Sequence, residues 1–289
     1  MAKIKEKRRK KRLLRRVWHL CLLLAVLFAV SKSITLLRET NLVSAGQAVG
    51  TKILERAEAA IHPDEDREDA ETEINTVEVA AVLADTETYA EEYLKALENN
   101  PELLDFVKGS TTAEGVVTGG LKKKELRQDI PLLIQWDGRW GYVPYGDHNI
   151  GLSGCAPTSL SMVVVGLTKD KNATPDAVAA YAEEDGYYLY GTGTKWSLMT
   201  EGAEHFSVHG REIPLDKNKI FSALEQGHPV ICSMRPGDFT TGGHFLVLVG
   251  IEDEKIRLND PNSRIRSGQL WDYETLEPQI KSLWEFTAE

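Results

Sequence analysis

Cys155 has the sequence setting of an activated nucleophile. It follows Gly151, Ser153 and Gly154 and opens an apolar stretch with helical spacing, in which Pro157 falls in the first turn. A thiol at the N-terminus of a helix lies at the positive end of the helix dipole and near unpaired N–H groups, and both favour the reactive thiolate. The alternative is a buried structural cysteine, which is common. The flanking glycines and the proline favour the nucleophile.

His244 is the candidate base for this thiol. It begins a predicted strand directly after residues 240–243, so its side chain can face open space at the edge of a sheet. From there an imidazole can reach a thiolate at a facing helix N-terminus. The alternative is a histidine at a strand start with no chemical role. Of the other histidines only His148 competes, because it is close to Cys155 in the sequence.

Asp260 is the candidate partner of the base. It ends the strand that follows the His244 hairpin, and a carboxylate on a neighbouring strand can orient an imidazole and stabilise its charged form. Asn259 and Asn262 could do the same. The run Asp-Pro-Asn-Ser is also typical of a turn, and both interpretations can hold together.

Gln135 is the candidate oxyanion donor. A tetrahedral oxyanion needs donors where its charge develops, and an upstream amide together with the N–H of Cys155 would supply them. The alternative is a polar residue at the edge of a strand.

The elements that must position these residues form a helix-rich half followed by a strand-rich half, which predicts an α+β domain. Residues 129–146 are predicted as a strand that runs into a glycine-rich loop. Helices are predicted from Cys155, after the cap Thr174 with Pro175 in the first position, and up to Gly227. Strands are predicted over residues 229–234, 244–252 and 255–260, with a tight hairpin between the last two.

Four motifs resemble bacterial cysteine peptidases related to the double-glycine-leader, or bacteriocin-processing, peptidases. They are GCAPTSLSM, GHFLVLVG and NDPNS, with an upstream Gln in LIQWDGRWG, and the resemblance covers about residues 129–286. It implies a papain-like fold, in which an N-terminal helix carrying the cysteine packs on an antiparallel sheet carrying the histidine and aspartate. It also implies Cys155 as nucleophile, His244 as base, Asp260 as orienting residue and Gln135 as oxyanion donor.

The chain departs from that family in two ways. The family usually has glycine after the catalytic cysteine, where this chain has Ala156. Its bacteriocin-processing members are commonly fused to ABC transporters, whereas nothing in this sequence resembles a transporter or a phosphate-binding loop. We therefore expect a peptidase-like subgroup without transporter domains.

The N-terminal residues predict a membrane segment. Residues 1–16 are strongly basic and precede an apolar run over residues 17–37. This order, and a length of about twenty residues, predict a transmembrane signal anchor with the basic end in the cytoplasm. Ala29 and Ser31 could instead mark the cleavage site of a signal peptide. The expected location is the cell membrane, single-pass with the C-terminal domain outside, or secretion if the signal is cleaved.

The rest of the chain is acidic. The net charge is −10, but residues 1–40 hold 12 of the 34 Lys and Arg and only 2 of the 44 Asp and Glu. The remainder therefore carries 22 basic and 42 acidic residues, which argues against nucleic-acid binding. We expect an acidic helical stalk or linker over residues 38–120 and a peptidase domain over residues 121–289. Two short helices within residues 74–108 could also form a pro-segment that covers the groove.

The predicted activity is that of a cell-surface cysteine peptidase with a Cys-His-Asp triad and a thioester intermediate. The expected partners are a peptide or peptidoglycan-peptide substrate and the membrane. No cofactor or metal is expected, because the chain has three cysteines and no His pair with ligand spacing. Two alternatives stay open: a non-catalytic, membrane-tethered binding module for peptide or cell wall on the same fold, and a papain-like acyltransferase.

Overall fold

A six-stranded antiparallel sheet is the scaffold of the computed structural model, which describes residues 74–288. The strands are β5 (Val208–Glu212), β6 (Val230–Met234), β7 (His244–Glu252), β8 (Lys255–Asn259), β9 (Leu270–Trp271) and β10 (Ile280–Ala288). Their order across the sheet is β5-β10-β6-β7-β8-β9. Two small hairpins stand outside it, formed by β1 (Pro144–Tyr145) with β2 (His148–Asn149) and by β3 (Tyr188–Leu189) with β4 (Gly193–Thr194).

Ten α-helices occur in the part of the chain that the structure describes. They are α1 (Thr76–Ala84), α2 (Glu91–Asn99), α3 (Leu104–Gly109), α4 (Lys123–Leu126), α5 (Ile150–Ser153), α6 (Cys155–Thr168), α7 (Pro175–Glu184), α8 (Lys217–Glu225), α9 (Arg264–Ser267) and α10 (Tyr273–Leu276). A 3-10 turn, Pro101–Leu103, joins α2 to α3. The α+β class is confirmed.

Several predicted boundaries are confirmed. Helix α6 begins at Cys155, and α7 begins at Pro175 after Thr174 in extended conformation. Gly227 follows α8 with a φ of 78°, as a helix-ending glycine does. Residues Asp253 and Glu254 both have positive φ and form the two-residue turn of the β7–β8 hairpin, in which Glu252 faces Lys255.

The strand predicted at the start of residues 129–146 is wrong, whereas the glycine-rich loop predicted after it is present. Only Pro144 and Tyr145 form a strand there, and residues 127–143 form turns and irregular chain. Leu133 and Ile134 are buried, but their segment has no neighbouring strand; Trp140 Nε1 donates to the carbonyl of Ile134 instead. A short apolar run cannot distinguish a buried strand from a buried irregular segment.

The sheet is covered on both faces. Phe245 and Val247 of β7 belong to the apolar cluster that includes α6 and α7. Leu246 and Leu248 belong to the second cluster, with residues of α8 and α10. Cys232 lies fully buried in the second cluster, and it and Cys155 are both free thiols. Since successive side chains of a strand point to opposite faces, β7 is an apolar strand between two layers of helices.

The helices before residue 110 pack on the rest of the domain. The ring of Phe106 stacks on Tyr142 at 4.5 Å between centroids, and Tyr142 Oη donates to the carbonyl of Phe106. Asn149 Nδ2 donates to Tyr93 Oη at 2.7 Å. The predicted helices are thus present and contact the rest of the domain, and the stalk or linker over residues 38–120 stays a prediction. The boundary predicted at residue 121 stays a prediction.

The predicted cytoplasmic segment 1–16, the membrane segment 17–37 and residues 38–73 of the predicted stalk lie outside the described residues. Within residues 74–288, none of the helices has the length and apolar character needed to cross a bilayer.

Candidate active site

The thiol of Cys155 lies at the first turn of a 14-residue helix and is partly exposed. Gly154 precedes it, at the point where α5 ends and α6 begins. A Cβ at Gly154 would lie 2.6 Å from the carbonyl oxygen of Ile150, so only glycine fits this junction without a shift. The glycine before Cys155 is therefore what lets the two helices meet closely and present the cysteine at a helix start.

His244 and Asp260 form a buried pair beside the cysteine. His244 begins β7, opposite Met234 of β6, and Asp260 directly follows β8. His244 Nε2 lies 2.7 Å from Asp260 Oδ1, and the two side chains are 6% and 0% exposed. Because Nε2 faces the aspartate, Nδ1 is the ring nitrogen left for Cys155.

Neighbouring residues hold Asp260 in place by hydrogen bonds to its carboxylate and to its backbone N–H. Arg266 Nε donates to its Oδ2 at 2.6 Å, and the backbone N–H of Asn262 donates to its Oδ1 at 2.8 Å. Its own N–H donates to Ser267 Oγ at 2.8 Å. The alternative partners of the histidine are placed elsewhere: the Asn259 side chain donates to the carbonyl of Ile130, and Asn262 acts through its backbone.

The charges of this cluster favour an imidazolium beside a carboxylate. Burial lowers the pKa of His244, but the charge and hydrogen bond of Asp260, and then the hydrogen bond and charge of Cys155, raise it to about 9. Burial raises the pKa of Asp260, but the charges of Arg266 and His244 outweigh it and hold that pKa far below its ordinary value. At neutral pH the histidine is therefore protonated and the aspartate ionised.

Gln135 lies between the cysteine helix and the aspartate turn. Its Nε2 donates to the carbonyl of Gly151 at 2.8 Å, and its backbone N–H donates to the carbonyl of Pro261 at 2.8 Å. An amide nitrogen carries two protons, so one of them remains for another acceptor. The side chain is buried and lines the same cleft as Cys155 and His244.

The cleft has a volume of about 1170 Å³. Its lining includes Gln135 and Cys155, the loop before His244, and residues 99–103 between α2 and α3. The turn after Asp260, α9 and residues of the 252–255 and 268–275 segments line it as well. The competing histidine, His148, is exposed in β2 and does not line this cleft. The structure thus brings together the four residues that the sequence selected and leaves His148 apart from them.

A sequence model of the Peptidase C39-like family matches residues 127–288, which is more than half of the chain. The chain belongs to this family. The resemblance inferred from the four motifs is thereby confirmed, and membership suggests cysteine peptidase activity.

Solved structures of peptidases of this kind are similar to the chain at low identity. The peptidase domain of Streptococcus ComA, a bifunctional ABC transporter involved in a quorum-sensing pathway, is 19% identical with a TM-score of 0.36. That alignment covers 47% of this chain and 92% of the domain. A protein from Bacillus anthracis described as a C39-like peptidase is 18% identical with a TM-score of 0.31, and the alignment covers 54% and 94%. Among curated proteins, no sequence matches the chain.

Sequence reasoning missed two residues of this candidate site. Arg266, which binds Asp260, and Glu102, which contacts the same turn from the N-terminal helices, belong to no motif. A charged side chain four to six residues after a candidate aspartate is too common a pattern to be selected. Glu102 lies 158 positions before Asp260, and only the fold brings it near.

Proposed function

We propose that the chain is a cysteine peptidase that hydrolyses peptide or peptide-like amide bonds through Cys155, His244 and Asp260. The observation that carries the proposal is the buried His244–Asp260 pair beside a partly exposed thiol at a helix N-terminus. The charge of Asp260 raises the pKa of His244, so the imidazole can carry the proton that the leaving amine takes up.

The chemistry begins with attack of the Cys155 thiolate on the amide carbonyl carbon, which forms a C–S bond and an oxyanion. The second proton of Gln135 Nε2 and the N–H of Cys155 are the donors for that oxyanion. His244 gives its Nδ1 proton to the leaving amine as the C–N bond breaks, which leaves a thioester. Neutral His244 then takes a proton from water as its oxygen attacks the thioester carbonyl carbon. A C–O bond forms, the C–S bond breaks, and the carboxylic acid and the Cys155 thiolate are released.

Peptide cleavage by the purified full-length chain tests this proposal. A mixture of synthetic peptides is incubated with the protein and the products are identified by mass spectrometry. We expect cleavage by the wild type and a loss of more than about 10³-fold in Cys155→Ser and His244→Ala, as for other covalent catalytic groups. Cys232→Ala and His148→Ala are matched controls, because they remove a thiol and an imidazole away from the cleft.

Two outcomes would redirect the proposal. Peptides that bind but stay intact would favour a binding module on the same fold. Transfer of the acyl group to an added amine, in preference to water, would favour an acyltransferase.

We also propose that the peptidase acts outside the cytoplasm, tethered by residues 17–37 or secreted after their removal. The basic segment followed by an apolar run supports this location. In cells that express the chain with a C-terminal epitope, we expect the epitope in the membrane fraction or the medium, and open to protease added outside. An epitope found in the cytoplasm and protected from protease would overturn the location.

A further inference from the structure

A buried glutamate outside the family-matched region touches the turn that carries Asp260. Glu102 lies in the 3-10 turn between α2 and α3, whereas the family match begins at residue 127. Its side chain is 8% exposed. Burying a carboxylate is costly unless donors satisfy it, so its contacts matter for what this segment does.

The donors come from the turn after Asp260. Ser263 Oγ donates to Glu102 Oε1, and the backbone N–H of Arg264 donates to Glu102 Oε2 at 2.8 Å. Beside them, Asn100 Nδ2 donates to the carbonyl of Asn262. Residues 100–102 therefore hold three consecutive residues, 262–264, that lie directly after Asp260.

The same turn fixes Asp260 through α9. Ser263 is the N-cap of α9, and its Oγ accepts from the N–H of Arg266 at 3.0 Å. Arg266 in turn binds the Asp260 carboxylate, and Asp260 binds His244. A continuous series of hydrogen bonds thus leads from Glu102 through Ser263 and Arg266 to the histidine.

Residues 99–103 do not cover the thiol of Cys155. Residues 99–103 line the cleft together with Cys155 and His244, and Cys155 stays partly exposed beside them. An inhibitory pro-segment has to block the nucleophile, and this stretch instead forms part of one wall.

We propose that Glu102 is a positioning residue for the His244–Asp260 pair, so that residues 99–103 are part of the working active site. The proposal rests on the proposed function. It assigns no contact with substrate to Glu102, which acts through the 262–264 turn and α9.

Three variants of the full-length chain test the role of Glu102. Glu102→Ala removes both acceptors, Glu102→Gln keeps the shape and one acceptor oxygen, and Glu92→Gln removes a charge from the exposed face of α2. We expect Glu102→Ala to lower kcat by up to about 100-fold with a smaller change in KM, because displacement of catalytic groups acts on the chemical step. Glu102→Gln should restore most of the activity, and Glu92→Gln should match the wild type.

The rate at which iodoacetamide modifies Cys155, measured from pH 5 to 9, separates positioning from simple stability. If Glu102 positions the pair, Glu102→Ala slows this reaction most at low pH even in folded protein, because the imidazolium no longer holds the thiolate. This readout needs no peptide substrate. A wild type that cleaves nothing but shows this effect would defeat the peptidase proposal and leave the positioning role standing.

Two results would overturn the role of Glu102. One is a folded Glu102→Ala protein with wild-type kcat and alkylation profile, and the other is a gain of activity, which an inhibitory segment would give. If Glu102→Ala does not fold, Ser263→Ala cuts the same series of hydrogen bonds with a smaller change. An unaltered alkylation profile in Ser263→Ala would then refute the proposal.

Discussion

Asp260 connects the histidine of the site to the rest of the molecule. It is fully buried, and a buried charge is stable only when partners compensate for the lost solvation. Its partners are the His244 ring, the Arg266 guanidinium and the backbone N–H of Asn262. The same carboxylate raises the pKa of His244 and fixes the direction of the ring, so its charge and its position can be tested separately.

Asp260→Asn should move the basic limb of the pH–activity profile to lower pH. Burial lowers the pKa of His244, but the Asp260 charge is the largest of the contributions that raise it to about 9. An asparagine keeps a hydrogen-bonding group but not the charge. His244 therefore loses its proton at lower pH, and the ion pair with the thiolate is lost at the same pH. The measurement is kcat/KM for a cleaved peptide between pH 5 and 10.

The control for this prediction is Asp105→Asn, which removes an exposed carboxylate from α3. Its profile should overlay that of the wild type. A basic limb that stays in place in Asp260→Asn would show that Asp260 does not set the protonation of His244.

Helix α6 places the cysteine, and its start depends on Gly154. A methyl group there would meet Ile150 at its Cγ2, carbonyl oxygen and Cα, between 2.6 and 2.9 Å away. Most of these atoms belong to the backbone, so the helix start has to move.

Gly154→Ala should therefore reduce both activity and stability. We expect a loss of about 1–3 kcal/mol in the free energy of unfolding, the usual cost of overpacking, and a fall in kcat because Cys155 shifts with its helix. Urea unfolding and peptide cleavage measure the two effects. Gly120→Ala is the matched control, since a Cβ there meets nothing within 4 Å. Equal activity and stability in the two variants would contradict the close approach at Gly154.

Elements with local signals were predictable, and elements defined by distant partners were not. The Asp253–Glu254 turn and the helix starts at Cys155 and Pro175 follow from turn residues, glycines and prolines close in sequence. The segment around Leu133 and Ile134 has the apolar character of a strand, but its backbone meets the Trp140 side chain and the Pro261 carbonyl in place of a neighbouring strand. No local sequence pattern predicts such partners.

At the scale of the whole molecule, the N-terminal helices complete the domain that carries the site. Phe106 of α3 is buried against Tyr142, and a Cβ on Gly151 would lie 2.2 Å from the Phe106 ring. Gly151 is also the acceptor of the Gln135 side chain. Phe106 of α3 therefore packs against the glycine whose carbonyl accepts from Gln135, the candidate oxyanion donor.

Phe106→Ala should destabilise the whole unit. Loss of a buried phenylalanine costs about 3–5 kcal/mol, so the free energy of unfolding should fall by that order. The measurement is urea unfolding followed by tryptophan fluorescence. Val77→Ala in α1, where the side chain is 79% exposed, should change stability by less than about 0.5 kcal/mol. If Phe106→Ala changes the free energy of unfolding as little as Val77→Ala does, the N-terminal helices are only loosely attached to the domain.

The candidate site was largely predictable from sequence because its four residues lie in short motifs with glycine, proline or strand patterns around them. Their supporting residues were not. Arg266 and Glu102 act through the fold, and a salt bridge or a buried acceptor can come from any position that the fold brings close. The position of residues 99–103 in the cleft lining likewise depends on the packing of the whole unit.

The pairing of Cys155 with His244 defines the proposed site, and the rate of thiol alkylation reports on this pairing. The full-length chain is treated with iodoacetamide at pH 6, and modification of each cysteine is followed by peptide mass spectrometry in wild type and His244→Ala. We expect Cys155 in the wild type to react much faster than a free thiol and the buried Cys232 to stay unmodified, with the rapid reaction lost in His244→Ala. A Cys155 that reacts no faster than a free thiol, or equally fast without His244, would contradict the account.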